Sequence, residues 1–295
     1  MKRLNLEISL ETVILFDLTL SFLAVLGLVF LIYGLITGHK WISYAMLACE
    51  CILLYAIFVA PKRITISKYK EALTKYPKHW IRVVLIADIH ANKKTDQARV
   101  DKIAERAKGL NPDVLLLGGD FVLWNSEDVA WLKPISQIKA AGKYFVLGNH
   151  DYLDDPQKIS DQLKEWGLVN ITNTGLSFRH EGAELRIYGL DDTQMGLSIL
   201  PSADAQLILA HSPDSALCLK EGSGLVLCGH THGGQIRLPL FGCISIPSKL
   251  GRRADQGTKI IDGVKLLISR GLGVVGPPVR LLCPPEILFL EIGLD

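Results

Sequence analysis

The sequence predicts an α/β domain built on two sheets and preceded by a membrane hairpin. Three observations predict it: two long uncharged runs near the N-terminus, an alternation of short β-rich runs with helical stretches after Trp80, and a second half of strand runs with little helix between them. With 295 residues the chain has room for one large α/β domain or two smaller ones. Its hydrophobic fraction of 49% is high for a protein lying wholly in water, and the excess sits at the N-terminus.

Leu18 to Ile36 is 19 residues without a charge, and Trp41 to Ala60 is 20 residues interrupted only by Glu50. Each matches the roughly 20 residues a helix needs to cross hydrocarbon, which places transmembrane helices at about 13–36 and 41–60. A second span follows directly after the turn TGHK, unlike a cleaved signal peptide. Lys2 and Arg3 precede the first span, Lys40 alone sits in the turn, and Lys62, Arg63, Lys68 and Lys70 follow the second. This bias predicts a multi-pass protein of the inner membrane with both termini, and the bulk of the chain, on the cytoplasmic face. Glu50, in mid-span, is expected to stay protonated or to bond a hydroxyl such as Ser21 or Tyr44. Residues 61–80, with six Lys or Arg against one Glu, read as a basic juxtamembrane linker suited to anionic headgroups, leaving 81–295 as the folded domain.

The net charge of +2, with no basic stripe interleaved with aromatics, makes no case for nucleic acid, and none is expected as a partner. The six cysteines form no CxxC pair. Cys49 and Cys51 fall in the second span, and Cys218, Cys228, Cys243 and Cys283 read as reduced, mostly buried thiols.

After Trp80, RVVLIA (82–87) is a buried-strand run, and DQARVDKIAERAKGL carries Val100, Ile103, Ala104 and Ala107 at helical spacing. DVLLLGGD then reads as strand, EDVAWLKPISQIKAA (127–141) as a helix interrupted by Pro134, KYFVLGNHD as strand, and DPQKISDQLKEWG as a helix ended by Gly167. A βαβαβα run of this kind implies a parallel sheet. LRIYGL, QLILAHS, LVLCGH, KLLISRGLG and EILFLEIG suggest a second sheet.

Polar residues collect where these strands stop. Asp88 and His90 follow RVVLIA, Asp120 follows VLLLG, and Asn149, His150 and Asp151 follow YFVLG; His211 follows LILA, and His230 and His232 follow LVLCG. In open α/β sheets ligands gather beyond the carboxyl ends of the strands. A lone strand-end Asp is usually a cap, but here five of eight histidines share that setting; His39, His79 and His180 lack it and read as surface or interface residues. Mixed carboxylate, amide and imidazole donors suit Mn²⁺, Fe, Zn²⁺ or Mg²⁺. Asp88, His90, Asp120, Asn149, His211, His230 and His232 are too many for one tetrahedral ion and suit two divalent ions sharing a carboxylate, the pair used for displacement at phosphorus. His150 is left over as a general acid or transition-state stabiliser. If the chain leaves the strand extended, His230 and His232 share a face and each addresses one ion.

DIH at Asp88 to His90, GGD at Gly118 to Asp120, GNHD at Gly148 to Asp151, His211 and GHTH at Gly229 to His232, in that order, resemble the calcineurin-like metallophosphoesterase family. The longer GHTHGGQIRLP, followed by ISRGLG and CPPEI, is similar to its YkuE/YaeI-type membrane-associated bacterial branch. The resemblance implies a four-layer αββα sandwich. It implies Asp88, His90 and His232 on one metal, Asn149, His211 and His230 on the other, Asp120 bridging, and His150 acting on the leaving group with Asp151 orienting it. It also implies manganese ahead of iron, zinc or magnesium, and a phosphate-ester substrate. A related branch cleaves the pyrophosphate of UDP-diacylglucosamine, so a lipid-linked substrate at the membrane is the concrete expectation.

GLGVVG (271–276) matches a dinucleotide fingerprint, but Pro277 and Pro278 follow where a helix should open, so it reads as a glycine loop. Arg270 and Arg280 flank it and are candidate phosphate binders. No G-x-S-x-G elbow or P-loop is present. The alternatives are a broad phosphodiesterase or phosphatase on soluble or cell-wall phosphates, and a non-catalytic membrane metal-binding or scaffold protein.

Overall fold

The computed structural model describes residues 25, 27–93, 95, 97–201 and 204–295. Most of the first expected span, and Ser21 with it, lies outside the described residues. Helix α1 (Gly27–Thr37) turns at Gly38, where φ is +79°, into α2 (Lys40–Leu54). Helix α2 continues through a π turn at Tyr55–Val59 and a 3-10 turn at Ala60–Lys62. The two helices touch: Ser43 Oγ donates to the Leu31 carbonyl at 3.1 Å, and the Glu50 carboxyl lies against Gly27, a contact that only a residue without a β-carbon allows. Among the described residues, Lys40–Lys62 is the one helix long and apolar enough to cross a membrane, and 11% of its most apolar window is buried.

The chain then runs through β1 (Thr65–Ala72), β2 (His79–Ile86), α3 (Gln97–Lys108), β3 (Val114–Leu117), α4 (Lys133–Ser136), β4 (Gly142–Phe145), α5 (Pro156–Glu165) and β5 (Val169–Asn170). There follow β6 (Thr174–His180), β7 (Ala183–Gly189), β8 (Leu207–Leu209), β9 (Leu225–Cys228), β10 (Arg237–Leu238), β11 (Gly242–Cys243), β12 (Gly257–Ile261), β13 (Val264–Ile268) and β14 (Glu286–Leu294). Two six-stranded sheets result, ordered β1-β14-β2-β3-β4-β5 and β12-β13-β9-β8-β7-β6, and β10 and β11 form a separate hairpin. Strands β2, β3 and β4 are mutually parallel, as are β7, β8 and β9.

Period two assigns the apolar residues of β2 and β3 to two cores. Ile81, Val83, Leu85, Val114 and Leu116 meet Leu185, Ile187, Leu207, Leu209 and Leu227 between the sheets. Val84, Ile86, Leu115 and Leu117 meet the helices instead. That is why these strands read as unbroken apolar runs: both faces are covered. Val100, Ile103, Ala104 and Ala107 are the buried face of α3, as their spacing predicts. Asp155 caps α5 by accepting from Lys158 N, Pro156 sits in its first turn where a missing N–H is harmless, and Gly167 at φ +81° ends it.

The structure departs from the sequence reading in four places. Residues 61–80 are not a linker outside the folded domain, because β1 occupies Thr65–Ala72 and pairs parallel with β14. EILFLEIG joins the first sheet as β14, antiparallel to β2, and not the second. The helix expected over 127–141 is a 3-10 stretch at Ser126–Leu132 followed by the single turn α4, with Pro134 at its start. The outer face of the second sheet, with Ile208, Val226 and Leu266, is covered among the described residues by 3-10 turns at Pro213–Leu217 and Gly251–Ala254 rather than by a layer of α-helices.

Candidate metal centre

All five donor-bearing segments leave the carboxyl ends of the parallel strands: Asp88 and His90 after β2, Asp120 after β3, Asn149 and His150 after β4, His211 after β8, His230 and His232 after β9. The strand-end loops approach closely. A β-carbon on Gly119, where φ is +84°, would strike the Gly148 backbone, and one on Gly148 would strike Asp120 and His211. Glycine at these two places lets the first sheet's loops nest against each other.

Two clusters of donors form, each drawing on both sheets, and His150 makes a third group with His90 and Asp120 whose ligand atoms also lie within 4.8 Å of one another. Asp88, His90 and His232 offer ligand atoms within 4.8 Å of one another, and so do Asp120, His211 and His230. His90 Nε2 lies 3.0 Å from His232 Nε2, while His211 Nε2 lies 3.1 Å from His230 Nδ1 and 3.0 Å from Asn149 Oδ1. One atom faces both clusters: Asp120 Oδ2 is 3.4 Å from His90 Nε2 and 3.3 Å from His211 Nε2. The sequence-predicted donors are therefore brought together, with Asp120 between the halves.

Backbone carbonyls select the tautomers. His211 Nδ1 donates to Gly118 O at 2.9 Å and His230 Nε2 to Pro247 O at 2.7 Å, since a carbonyl oxygen only accepts. His211 Nε2 and His230 Nδ1 are the nitrogens turned toward Asp120 and toward each other. Burial pushes His90 down to about 3. His230 is lowered to about 4 by burial and the neighbouring His211, and His232 falls well below its usual value through burial, His90 and Arg280. Burial alone would lower His211 too, but Asp120 and Asp88 together raise it to about 10. Burial and Asp120 push Asp88 up; for Asp120 the surrounding imidazoles outweigh burial and hold it well below the usual carboxylate range. Three imidazoles kept neutral in a buried, carboxylate-lined space present lone pairs without protons. Asp88 Oδ2 is buried with no hydrogen-bond partner. An orphaned carboxylate oxygen beside converging imidazole nitrogens fits a divalent cation, and the shared Asp120 oxygen fits a pair.

The backbone is strained at these residues. Asp88 (φ +55°), His90 (+51°), Asp120 (+52°), His230 (+69°) and His232 (+51°) are all left-handed, so five of the seven donors adopt a conformation that costs an L-residue about 1–2 kcal/mol each. The sum is comparable with the roughly 5–15 kcal/mol net stability of a domain. The expectation that His230 and His232 share the face of an extended strand is thus corrected. The chain turns at each histidine, and the turn sends His230 to one cluster and His232 to the other.

His150 lies at the rim. Its Nδ1 donates to Leu123 O at 2.8 Å, its ring stands 4.7 Å from that of His90, and Trp124 packs 5.3 Å away. Its Nε2 remains available to a cavity of about 300 Å³ lined by Asp120, Asn149, His150, Gln194, His230 and His232 among others. Asp151 does not orient His150. It is fully buried and accepts from Phe121 N (2.8 Å), Val122 N (3.3 Å) and Gly148 N (2.9 Å), tying the β4 loop to the β3 loop. Asn at this position turns amide hydrogens toward those N–H groups, so Asp151→Asn is expected to lower kcat and metal affinity by about 10–100-fold, read by steady-state kinetics and metal titration.

Neither arginine lines the cavity. Arg280 is fully buried and spends its guanidinium on the carbonyls of Arg270, Gly273 and Cys283. Arg270 pairs with Glu286 at 2.6 Å and donates to Thr65 and Ser67 of β1. Both hold the glycine loop and the first sheet together, which corrects the phosphate-binding expectation; Arg280 Nη2 does lie 3.3 Å from His232 Nδ1, behind the site. The sequence reading missed Gln194, whose amide stands 3.1 Å from His230 Nε2 and lines the cavity. The available signal was the acidic pair after LRIYGL: Asp192 accepts from Gln194 N and Met195 N, and so shapes the loop. His79, which opens β2, and His180, which closes β6, stay away from the site as expected.

The profile of the family described as calcineurin-like phosphoesterase matches residues 81–234, a stretch that holds all seven donors. The phosphodiesterase YaeI of Escherichia coli (strain K12) is 28% identical over 253 residues, 81% of this chain and 92% of that protein. The metallophosphoesterase YkuE of Bacillus subtilis (strain 168) is 27% identical over 257 residues, 81% of this chain and 88% of that one. A metallophosphoesterase of Helicobacter pylori (strain ATCC 700392 / 26695) is 31% identical over 229 residues, 72% of this chain and 60% of that one.

Proposed function

Because the chain belongs to the calcineurin-like phosphoesterase family and is a metal-dependent phosphoester hydrolase, we propose that it cleaves a phosphodiester or pyrophosphate bond at a membrane surface, with Asp88, His90 and His232 holding one divalent ion, Asn149, His211 and His230 the other, and Asp120 both. The observation that carries this reading is the single Asp120 oxygen facing two histidine clusters. When bound, such a pair supplies Lewis acidity toward the phosphoryl oxygens and lowers the pKa of the attacking water.

The protein's own groups do the rest. Gly118 O and Pro247 O hold a proton on the outer nitrogens of His211 and His230, so the inner nitrogen of each ring is the one left to a metal. Protonated, His150 keeps one N–H on Leu123 O and carries the other on Nε2, from which it is given to the leaving oxygen. Gln194 and Asn149 offer amide groups to the cavity.

Manganese is the first choice of metal, since a mixed oxygen and imidazole set suits it. Hydrolysis of bis(p-nitrophenyl) phosphate by the full chain is expected to require added Mn²⁺, to stop with EDTA and to return on re-addition. Hydrolysis indifferent to chelation would sink the two-metal reading.

The anchor is part of the same proposal. The helix Lys40–Lys62, with its apolar side chains exposed, supports a transmembrane segment, and the lysine bias supports a cytoplasmic domain; a reporter fused after Asp295 should be active only inside the cell. An anchored site favours an amphiphilic phosphate such as UDP-diacylglucosamine. ³¹P NMR of a detergent-solubilised reaction should then show UMP and lipid phosphate; cleavage of a generic diester without them removes that substrate.

A further inference from the structure

We infer that the β10–β11 hairpin and its flanks are a second membrane-contacting element, which dips into an anionic leaflet beside the helix and presents the mouth of the site to lipid. This rests on the reading of Lys40–Lys62 as a membrane-spanning helix.

The hairpin carries a run of side chains that nothing in the domain covers. Leu240 is fully exposed, Phe241 is 71% and Ile244 61% exposed, and Leu238 and the nearby Leu282 are exposed as well. Two aliphatic residues and an aromatic at the tip of a hairpin are costly in water: burying each is worth about 1.5–3 kcal/mol. A soluble surface rarely gathers them.

Continuity with the helix selects the occupant. The base of the helix docks on the domain where Arg280 N donates to Ala56 O at 2.9 Å, inside the π turn. The next residue, Leu281, is bridged to Ile236: Arg237 N donates to Leu281 O and Leu281 N to Gln235 O, each at 2.9 Å. One hydrogen-bonded strip therefore runs from the helix base through residues 280–282 into the hairpin. Ala56 and Ala60 are buried against the domain, so the helix base is held to it rather than tethered by a free linker.

Charge points the same way. Lys62 and Arg63 are exposed at the helix base, Lys249 and Arg252 are exposed close to the hairpin in sequence, and the Arg252 guanidinium reaches Gly242 of β11. An apolar tip rimmed by cations suits an anionic leaflet, where each Lys or Arg near the surface adds about 1 kcal/mol. Gln235 and Ser245, on the two arms of the hairpin, line the cavity of the metal centre. Seating the tip among headgroups therefore brings the cavity mouth to the lipid.

The test uses the full chain reconstituted into vesicles of equal parts phosphatidylcholine and phosphatidylglycerol, with or without acyl chains that carry bromine, which quenches nearby tryptophan. The added emission of Phe241→Trp, taken as the difference from the parent, is expected to fall by about half with brominated lipid, the response of a ring within the upper acyl region. Val169→Trp, on β5 at the far edge of the first sheet, is expected to be unaffected. If Trp fluorescence added at 241 is as unquenched as that at 169 while the protein resists alkaline carbonate extraction, the hairpin inference falls and the anchor stands. If carbonate strips the protein from the vesicles, the anchor reading falls and takes the hairpin with it. Leu240→Ser with Phe241→Ser provides a second reading: unchanged hydrolysis of a soluble diester with weaker binding of the full chain to anionic vesicles than the parent shows supports the inference, and binding equal to the parent's overturns it.

Discussion

Asp120→Ala is expected to lower kcat/KM for a chromogenic phosphodiester by about ten-thousand-fold or more, the scale on which a catalytic unit fails when one shared member is removed. The reason is positional. Asp120 Oδ2 stands 3.4 Å from His90 Nε2 and 3.3 Å from His211 Nε2, so one deletion opens both clusters at once. It also removes the anion that raises His211 and the acceptor of His150 N at 2.8 Å. Bound metal, counted by elemental analysis, should fall for both ions rather than for one. A variant that keeps both ions and full activity would contradict the shared-carboxylate reading directly.

His150→Ala is expected to behave differently, with kcat down by about a hundred- to ten-thousand-fold, the usual contribution of a positioned acid, and metal content unchanged. His150 reaches the cavity but is held by Leu123 O and by the Trp124 ring, not by the other donors alone. Its loss therefore empties one wall of the cavity while leaving the two clusters in place. A substrate whose leaving group needs no proton should lose much less, which separates proton donation from a structural defect. Loss of metal in this variant, or equal loss with both kinds of leaving group, would move His150 from the chemistry to the support of the site.

How far the sequence discloses this protein depends on where each residue's partner lies. The donors are legible because each follows an apolar run buried on both faces, and the end of such a run is a landmark: Asp88, Asp120, Asn149, His211 and His230 all stand two to four residues beyond a strand. Strand β1 is not legible, because its inward positions are polar. Ser67 donates to Glu286, and Glu71 receives Lys265 at 2.7 Å, partners some 200 residues away that no local pattern announces. Arg270 and Arg280 misled for the same reason; a guanidinium in a glycine loop looks like a phosphate clamp until the carbonyls around it are counted. The GHTH stretch misled through its conformation. Spacing alone suggests an extended chain, whereas the ligand geometry requires left-handed turns at both histidines.

The sharing of each cluster between the sheets has a consequence for how the domain holds together. Asp88 and His90 leave the first sheet and His232 the second; Asp120 leaves the first sheet, His211 and His230 the second. Ions held there would act as rivets across a seam otherwise closed by apolar contact and a few polar bonds such as Lys265 to Glu71. A sandwich fastened in that way transmits any slip of one sheet over the other straight into the spacing of its metals, so the packing of Leu85, Leu116, Leu207 and Leu227, remote from any substrate, calibrates the chemistry.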